Sequence, residues 1–263
     1  MNRLPTLFIS HGSPMLALQD SPARRFLSEL GKSLPRPRAI LVASAHWETL
    51  KVPALSFAEH PETIHDFGGF PAELFAIQYP APGAPQVAAR AASLLEAAGL
   101  AVDRSADRGL DHGAWVPLRL MYPEADIPVA QISILRGAAP ADHEKIGAAL
   151  TALRDEGVLV IGSGSLTHNL SEIGRGAAQL AAPAWVTDFG DWMNSMLEAG
   201  RRDALRDYRR LAPHAVRNHP TDEHLLPLFV AMGAAGTAAH ARRLHTSIEY
   251  GVLAMDVYAF SEE

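Results

Sequence analysis

The chain has 263 residues, of which 48% are hydrophobic and 20% charged, with 20 glycines and 19 prolines, and this composition excludes fibrous, collagen-like and disordered proteins. Its 23 Lys and Arg against 29 Asp and Glu give a net charge of −6, and no basic run exceeds a pair, which argues against a nucleic-acid partner. The absence of cysteine excludes disulfides, thiolate metal sites and a cysteine nucleophile, so His, Asp or Glu would have to hold any metal.

Short apolar runs rich in β-branched residues alternate along the chain with longer stretches of helical periodicity. This alternation predicts an α/β fold rather than an all-α or all-β one. The predicted strands are Thr6–Ser10, Ala39–Ala45, Val52–Phe57, Ile127–Ile134, Gly157–Gly162 and Tyr250–Tyr258. Each predicted helix opens with a proline near its first turn, where a missing N–H group costs nothing. These helices are Pro85–Ala98, Pro140–Arg154, Pro183–Ala199 and Pro220–Met232.

No repeat, low-complexity tract or linker-like segment divides the chain, so residues 1–263 are expected to form one domain. The least regular region, Glu59–Pro85, mixes Pro, Gly and aromatic residues as functional loops do. No apolar stretch reaches the roughly 18 residues that cross a membrane. The apolar run within Met1–Ser10 is too short for a secretory signal. We therefore expect a soluble, cytoplasmic protein with no membrane partner.

Three histidines follow predicted strands. His11 comes directly after the first strand, His46 directly after the second, and His168 a few residues after the fifth. Ligands bind in the crevice beyond the carboxyl ends of parallel strands in open α/β sheets. These imidazoles are therefore expected at one edge of the sheet, as a metal site or an acid–base site.

Two further histidines join this group of candidates. His112 lies in a Gly-flanked turn that leads into an apolar stretch, and His224 lies in the first turn of the predicted helix Pro220–Met232. Neighbouring helical residues point about 100° apart, so at most one of Glu223 and His224 faces a given ion. We favour His224 as the ligand, with Glu223 as the alternative ligand or as a partner that orients it.

Imidazole donors without sulfur suit Zn(II), Fe(II), Ni(II) or Cu(II) rather than Mg or Ca, and the sequence does not choose among them. Other chemistries have weaker support. There is no phosphate-binding glycine motif and no Gly-x-Ser-x-Gly nucleophile elbow, so Ser163 and Ser165 are expected only to permit a tight turn. Five histidines have surroundings that suggest no special role: His60, His143, His214, His240 and His245.

Five motifs follow one another along nearly the whole chain. They are Leu7-Phe8-Ile9-Ser10-His11-Gly12-Ser13-Pro14, Ser44-Ala45-His46-Trp47, Ile64-His65-Asp66-Phe67-Gly68-Gly69-Phe70-Pro71, Leu110-Asp111-His112-Gly113-Ala114-Trp115 and Glu223-His224-Leu225-Leu226-Pro227-Leu228. Any one motif is weak evidence, whereas five in sequence are specific. Together they resemble the class III extradiol ring-cleaving dioxygenases, most closely their 4,5-DOPA extradiol dioxygenase branch.

The resemblance implies a single catalytic α/β domain with a central mixed, mostly parallel sheet flanked by helices. It also implies a non-haem Fe(II), with Zn(II) in the same place in some relatives, and catechol and O₂ as partners. The implied metal ligands are His11, His46 and His224. The implied catalytic residues are His168, as acid–base group and potential fourth ligand, and His112. The residues implied near the substrate are His65, Asp66, Phe67 and Gly68.

One departure concerns charge. Better-known members of the class use two histidines and a carboxylate, whereas three neutral imidazoles leave the full +2 charge on the metal. The sequence leaves open which catechol is cleaved, which metal is native, and whether the chain is a monomer or a homodimer. Two alternatives also remain: a zinc-dependent hydrolase on the same scaffold, and a non-catalytic binding protein that retains the fold.

Overall fold

An eight-stranded mixed sheet forms the centre of the computed structural model, which describes residues 3–174 and 182–262. Within this part of the chain the strand order is β4-β3-β5-β2-β6-β1-β10-β7, and β8 pairs with β9 in a separate hairpin. The strands are β1 Thr6–Ser10, β2 Ala39–Thr49, β3 Ala54–Ser56, β4 Asp103–Ser105, β5 Val129–Leu135, β6 Val158–Gly164, β7 His240–His245, β8 Ile248–Glu249, β9 Leu253–Ala254 and β10 Val257–Ser261.

Helices cover both faces of the sheet, as in other α/β folds. They are α1 Pro22–Ser33, α2 Ala72–Phe75, α3 Pro85–Ala97, α4 His112–Met121, α5 Pro140–Ala149, α6 Ala184–Glu198, α7 Arg202–Arg206, α8 Tyr208–Leu211, α9 Ala215–Asn218 and α10 Leu226–Ala234. Short 3₁₀ turns lie at Pro14–Ala17, Thr151–Arg154 and Leu170–Glu172. None of the described helices is both long enough and apolar enough to cross a membrane.

The central strands are buried on both faces, which explains their continuous apolar runs. In β2, Ile40 and Val42 pack into the core beneath α1 and α4, whereas Leu41 and Ala43 pack into the core beneath α3 and α5. Strands β2, β6 and β1 are adjacent and parallel. Their carboxyl ends therefore lie side by side, as the positions of the histidines predicted.

The predicted helices that open at Pro85 and Pro140 are confirmed, and the helix predicted from Pro183 begins one residue later. The helix predicted at Pro220–Met232 is wrong at its start, because α10 begins only at Leu226. The reason is Pro227, which lacks an N–H group and lies in the first turn of α10, where that group needs no partner within the helix. His224 consequently lies in a turn before the helix, not in the helix.

The strand predictions differ from the structure mainly at their ends. Strand β2 continues through His46 to Thr49, so His46 lies within the strand rather than after it. The predicted strand Val52–Phe57 shortens to three residues. The predicted strand Tyr250–Tyr258 is two strands, β9 and β10, separated by Met255 and Asp256. Helices α1 and α4 and strand β7 were not predicted.

Candidate active site

Five histidines meet at the carboxyl ends of β1, β2 and β6. His11 follows β1, His46 lies in β2, and His168 follows the end of β6 by four residues. His112 is the first residue of α4 rather than part of a turn, and Asp111 caps that helix by accepting a hydrogen bond from the Ala114 amide. The fifth, His224, is nearly buried in the turn before α10.

The turn that carries His224 packs directly on the end of β6. A Cβ atom at Gly164 would lie 2.0 Å from the His224 carbonyl oxygen, so only glycine allows this approach. The same carbonyl accepts a hydrogen bond from the Ser165 amide at 2.8 Å. Gly164 therefore fixes how far His224 projects over the sheet edge.

The Nε2 atoms of His11, His46 and His224 converge. The Nε2 atoms of His11 and His46 are 3.0 Å apart, and those of His46 and His224 are 3.3 Å apart. These three side chains satisfy the spacing of a metal site, since their candidate donor atoms all lie within 4.8 Å of one another.

Oxygen partners at Nδ1 favour a hydrogen on that atom in His11 and His224, and a carboxylate oxygen lies near Nδ1 of His46. Ser163 Oγ donates to the Gly113 carbonyl, so it accepts from His11 Nδ1 at 3.0 Å. His224 Nδ1 donates to Glu223 Oε1 at 2.9 Å. Asp66 Oδ2 lies 3.5 Å from His46 Nδ1. With the proton on Nδ1, all three Nε2 lone pairs face one another.

This arrangement fits a metal cation. Burial lowers the pKa of His11 and of His224 well below the usual range, and burial lowers the pKa of His46 to about 4. The rings are therefore neutral at neutral pH, and with their hydrogens on Nδ1 the three Nε2 lone pairs would repel one another unless a cation accepts all three. Three imidazoles without sulfur suit a borderline transition-metal ion.

His168 lies against His224 with nearly parallel rings, their centroids 3.3 Å apart. Within the described residues its ring nitrogens make no hydrogen bond, although the ring lines the cavity above the three Nε2 atoms. Burial lowers the pKa of His168 to about 4, an effect that the charge of Glu223 partly offsets. His168 is therefore a neutral imidazole at neutral pH.

His112 is held by Asp66, whose Oδ1 accepts from the His112 backbone amide at 3.0 Å and from His112 Nδ1 at 2.9 Å. Burial alone would raise the pKa of Asp66, but its hydrogen bonds to His112 prevail and lower it to about 2. The carboxylate is thus ionised and holds a hydrogen on His112 Nδ1. Asp66 therefore orients His112 and also lines the cavity.

A buried network around Asp111 connects His46 to His112. Asp111 is fully buried, and its two carboxylate oxygens accept from Ser44 Oγ at 2.6 Å and from Arg108 Nη2 at 2.7 Å. The same two partners bond the backbone of His46, since Ser44 Oγ accepts from its amide and Arg108 donates to its carbonyl. The network holds the strand that carries His46 against the helix that carries His112.

A cavity of about 530 Å³ opens above the histidines. Its floor holds the nearly buried rings of His11, His112 and His224, which are 1%, 6% and 5% exposed. Its walls are mainly apolar, and Leu170, at 57% exposure, marks the solvent side. The other apolar and aromatic wall residues are Pro14, Phe67, Phe70, Ile173, Tyr250 and Leu253.

Two of the residues expected near the substrate lie outside this lining. His65 Nε2 is 3.0 Å from the Ile77 carbonyl, and its ring contacts Trp115 and Phe67. Gly68 is exposed, and a Cβ atom there would meet nothing within 4 Å. Asp66 and Phe67 thus line the cavity, whereas His65 and Gly68 do not.

Sequence reasoning missed two residues. Ser163 lies in β6 and contacts His11, so the expectation that it merely permits a turn is wrong. His219 is fully buried beneath the site, with Nε2 2.8 Å from the Leu166 carbonyl. The position of Ser163 near the carboxyl end of β6 could have identified it, whereas no local pattern marks His219. His143, expected to have no special role, is buried and accepts a hydrogen bond from the Leu135 amide.

Comparison with known proteins agrees with this geometry. The family model described as the catalytic LigB subunit of aromatic ring-opening dioxygenase matches residues 5–259. The chain is 44% identical over 260 residues to a 4,5-DOPA dioxygenase extradiol of Beta vulgaris, covering 97% of this chain and 96% of that relative. It is 42% identical over 235 residues to a protein of that name from Escherichia coli (strain K12), covering 88% of this chain and 85% of that relative.

A crystal structure of an uncharacterized protein from Escherichia coli K12 is also similar, with a TM-score of 0.82 and 34% identity. The match covers 98% of this chain and 99% of that chain. The predicted family and the predicted single α/β domain with a mixed, mostly parallel sheet are both confirmed. The chain belongs to the family of the catalytic LigB subunit of aromatic ring-opening dioxygenases.

Proposed function

We propose that this protein is an extradiol dioxygenase that opens the ring of a catechol with O₂ in the histidine-lined cavity, giving a hydroxymuconic semialdehyde-type product. The observation that carries this proposal is the convergence of three Nε2 lone pairs beneath an apolar cavity that also receives His112 and His168. The cavity accommodates a planar ring, and the aromatic side chains of Phe67 and Phe70 suit such a ring.

His11, His46 and His224 would hold the metal, which is Fe(II) in the active enzyme, with Zn(II) as an ion that the same donors accept. A bound Fe(II) supplies the Lewis acidity and the redox chemistry that the reaction of a catechol with O₂ requires. Ser163 and Glu223 orient two of the three ligand rings through their Nδ1 atoms. Negative charge near the ligands comes from Asp111 and Asp66 beside His46 and from Glu223 beside His224.

His168 acts as the base that accepts a catechol hydroxyl proton. Its ring lines the cavity, is neutral, and makes no hydrogen bond within the described part of the chain. Glu223 lies close enough to stabilise the imidazolium that results, since its carboxylate belongs to the same cluster as His168 and His224. The protonated ring can then return the proton to the reacting molecule as the product forms.

His112 is the second histidine of the cavity that can exchange a proton with a bound molecule. Because Asp66 fixes the hydrogen on Nδ1, a neutral His112 presents a lone pair at Nε2, and only the imidazolium presents an N–H donor there. The ionised Asp66 stabilises that imidazolium through a hydrogen bond of 2.9 Å. His112 is thus expected to donate from Nε2 to an oxygen atom of the reacting pair after that nitrogen has taken up a proton that the catechol releases on binding.

The proposal is tested by adding catechol, DOPA and caffeate in turn to protein reconstituted with Fe(II), while oxygen uptake and a yellow product absorbance are followed. We expect both signals with at least one catechol and neither signal under anaerobic conditions. Absence of oxygen uptake with every catechol would contradict the proposal. Oxygen-independent hydrolysis by the zinc-loaded protein would favour the hydrolase alternative instead.

A further inference from the structure

Tyr250 occupies an unfavourable backbone conformation at the wall of the cavity. Strands β8 and β9 pair with Glu249 opposite Leu253, and the Val252 amide donates to the Glu249 carbonyl at 3.2 Å. Three residues, Tyr250, Gly251 and Val252, lie between this pair, and the first two have φ values of +50° and +72°. Gly, Asn and Asp adopt a positive φ most readily, whereas a bulky aromatic residue there is disfavoured.

The local sequence therefore does not explain why tyrosine occupies this position. An energetically unfavourable conformation that persists in a folded protein is a reason to look for a function. The side chain offers one, because it lines the cavity above the histidines. The ring also packs, partly buried, against the main hydrophobic core.

The hydroxyl of Tyr250 fixes the position of its ring. It donates a hydrogen bond of 2.8 Å to Gln19 Oε1, which lies just after the 3₁₀ turn Pro14–Ala17. Pro14, in that turn, also lines the cavity. The hydrogen bond thus joins the β8–β9 hairpin to the segment after β1, and the ring is held between two loops of the cavity wall.

The shape of the cavity decides which part of a substrate meets this ring. The histidines lie at its buried end, and the exposed Leu170 lies at its solvent end together with half-buried apolar residues. If the two hydroxyls of a catechol face the histidines, the ring carbons para to those hydroxyls point away from them, toward the solvent end. A substituent on either carbon therefore passes the apolar wall that includes Tyr250.

We propose that Tyr250 is a specificity-determining residue, whose ring contacts the substituent para to a catechol hydroxyl and so favours catechols with an apolar, planar substituent there over unsubstituted catechol. This inference rests on the proposed function and adds the substrate class to it. This contact explains why tyrosine occupies a position whose backbone suits Asn or Gly, because neither Asn nor Gly would provide the contact.

The test compares kcat/KM for caffeate and for catechol in wild-type and Tyr250→Asn protein, both reconstituted with Fe(II). Asn suits the positive φ, so the hairpin is expected to fold. Loss of an apolar contact of this size typically lowers specificity by about tenfold or more. We expect the caffeate-to-catechol ratio of kcat/KM to fall by about that factor, mainly through a higher KM for caffeate, with kcat for catechol nearly unchanged.

Ile248→Asn is the matched control, because Ile248 lies in the same hairpin, is 38% exposed and does not line the cavity. Its ratio is expected to equal that of the wild type. Tyr250→Gly, which also accepts the positive φ, provides a second variant. Its caffeate-to-catechol ratio of kcat/KM is expected to fall as that of Tyr250→Asn does.

Folded Tyr250 variants that keep the wild-type ratio would overturn the inference and leave the proposed function intact. The inference is also overturned if the ratio falls as far in Ile248→Asn as in the Tyr250 variants, because a change in the hairpin rather than loss of the ring would then be responsible. If the wild-type protein consumes oxygen with neither catechol, the proposed function fails, and the inference fails with it.

Discussion

Replacing Glu223 by Gln tests whether a carboxylate behind a ligand histidine strengthens metal binding. Glu223 Oε1 lies 2.9 Å from His224 Nδ1, and the Glu223 side chain is 22% exposed against 6% for His224. Gln has the same length and still offers an acceptor oxygen, so Glu223→Gln removes the charge and keeps the shape. The ring of His224 then becomes a weaker donor to a cation, because a neutral acceptor polarises it less.

The size of the effect follows from the kind of bond that is lost. Partners of ligand histidines typically contribute 10–100-fold in metal affinity, about 1.4 to 2.7 kcal/mol. A hydrogen bond to a charged acceptor is roughly twice as strong as one to a neutral acceptor, so Glu223→Gln should lose about half of that free energy. We therefore expect affinity for Zn(II) to fall by about tenfold or less, toward the lower end of the range.

The assay titrates metal-free protein with Zn(II) in the presence of a competing chelator, which reports affinity without any turnover. Glu48→Gln is the matched control, because the Glu48 side chain is also 22% exposed but pairs with Arg136 at 2.8 Å. Such a surface ion pair contributes little, so its loss should leave the affinity unchanged. Unchanged affinity in Glu223→Gln, or an equal loss in Glu48→Gln, would refute the reasoning.

Three further predictions concern other histidines. His46→Ala is expected to abolish stoichiometric metal binding, because His46 Nε2 lies within 3.3 Å of both other donor atoms, and full metal content after dialysis would contradict its role. His168→Ala is expected to keep the metal while turnover falls by about 10²–10⁴, whereas loss of metal would identify a fourth ligand. Burial lowers the pKa of His219 from 6.5 to about 4, so between these values the unfolded chain binds a proton that the folded protein excludes. Stability is therefore present above this window and is lost as the pH falls through it, by up to about 3 kcal/mol. His219→Gln keeps a donor for the Leu166 carbonyl and is expected to flatten this dependence in urea unfolding at about pH 7 and about pH 5, whereas an unchanged dependence would count against it.

Local patterns predicted much of the fold, and the errors have local causes. Strand β1 was predicted with its observed bounds because its apolar run ends at a histidine and a glycine. Helix α1 was missed although Ser21 and Pro22 form the N-cap and first-turn signal that marks its start. The start of α10 was misplaced because Pro220 was interpreted as the proline of the first turn, whereas the proline in that turn is Pro227.

The histidines of the site could be predicted because most belong to short motifs, and because His11, His46 and His168 lie in or just after strands that prove to be neighbours. His65 and Gly68 share a motif with Asp66, yet they do not reach the cavity. A motif match predicts that a whole segment lies near the substrate, whereas only the path of the folded chain decides which of its side chains face the cavity.

The sequence by itself determined the kind of donor, since a chain without cysteine but with histidines at strand ends can offer a metal little except imidazole and carboxylate. Only the tertiary structure decided the tautomers, because the oxygen that orients His11 belongs to Ser163, 152 residues away, and the one that orients His112 belongs to Asp66, 46 residues away. It also decided that Tyr250 faces the cavity. Hydrogen-bond partners and cavity walls depend on distances of a few ångströms between remote segments, and these distances exist only once the sheet and its helices have packed.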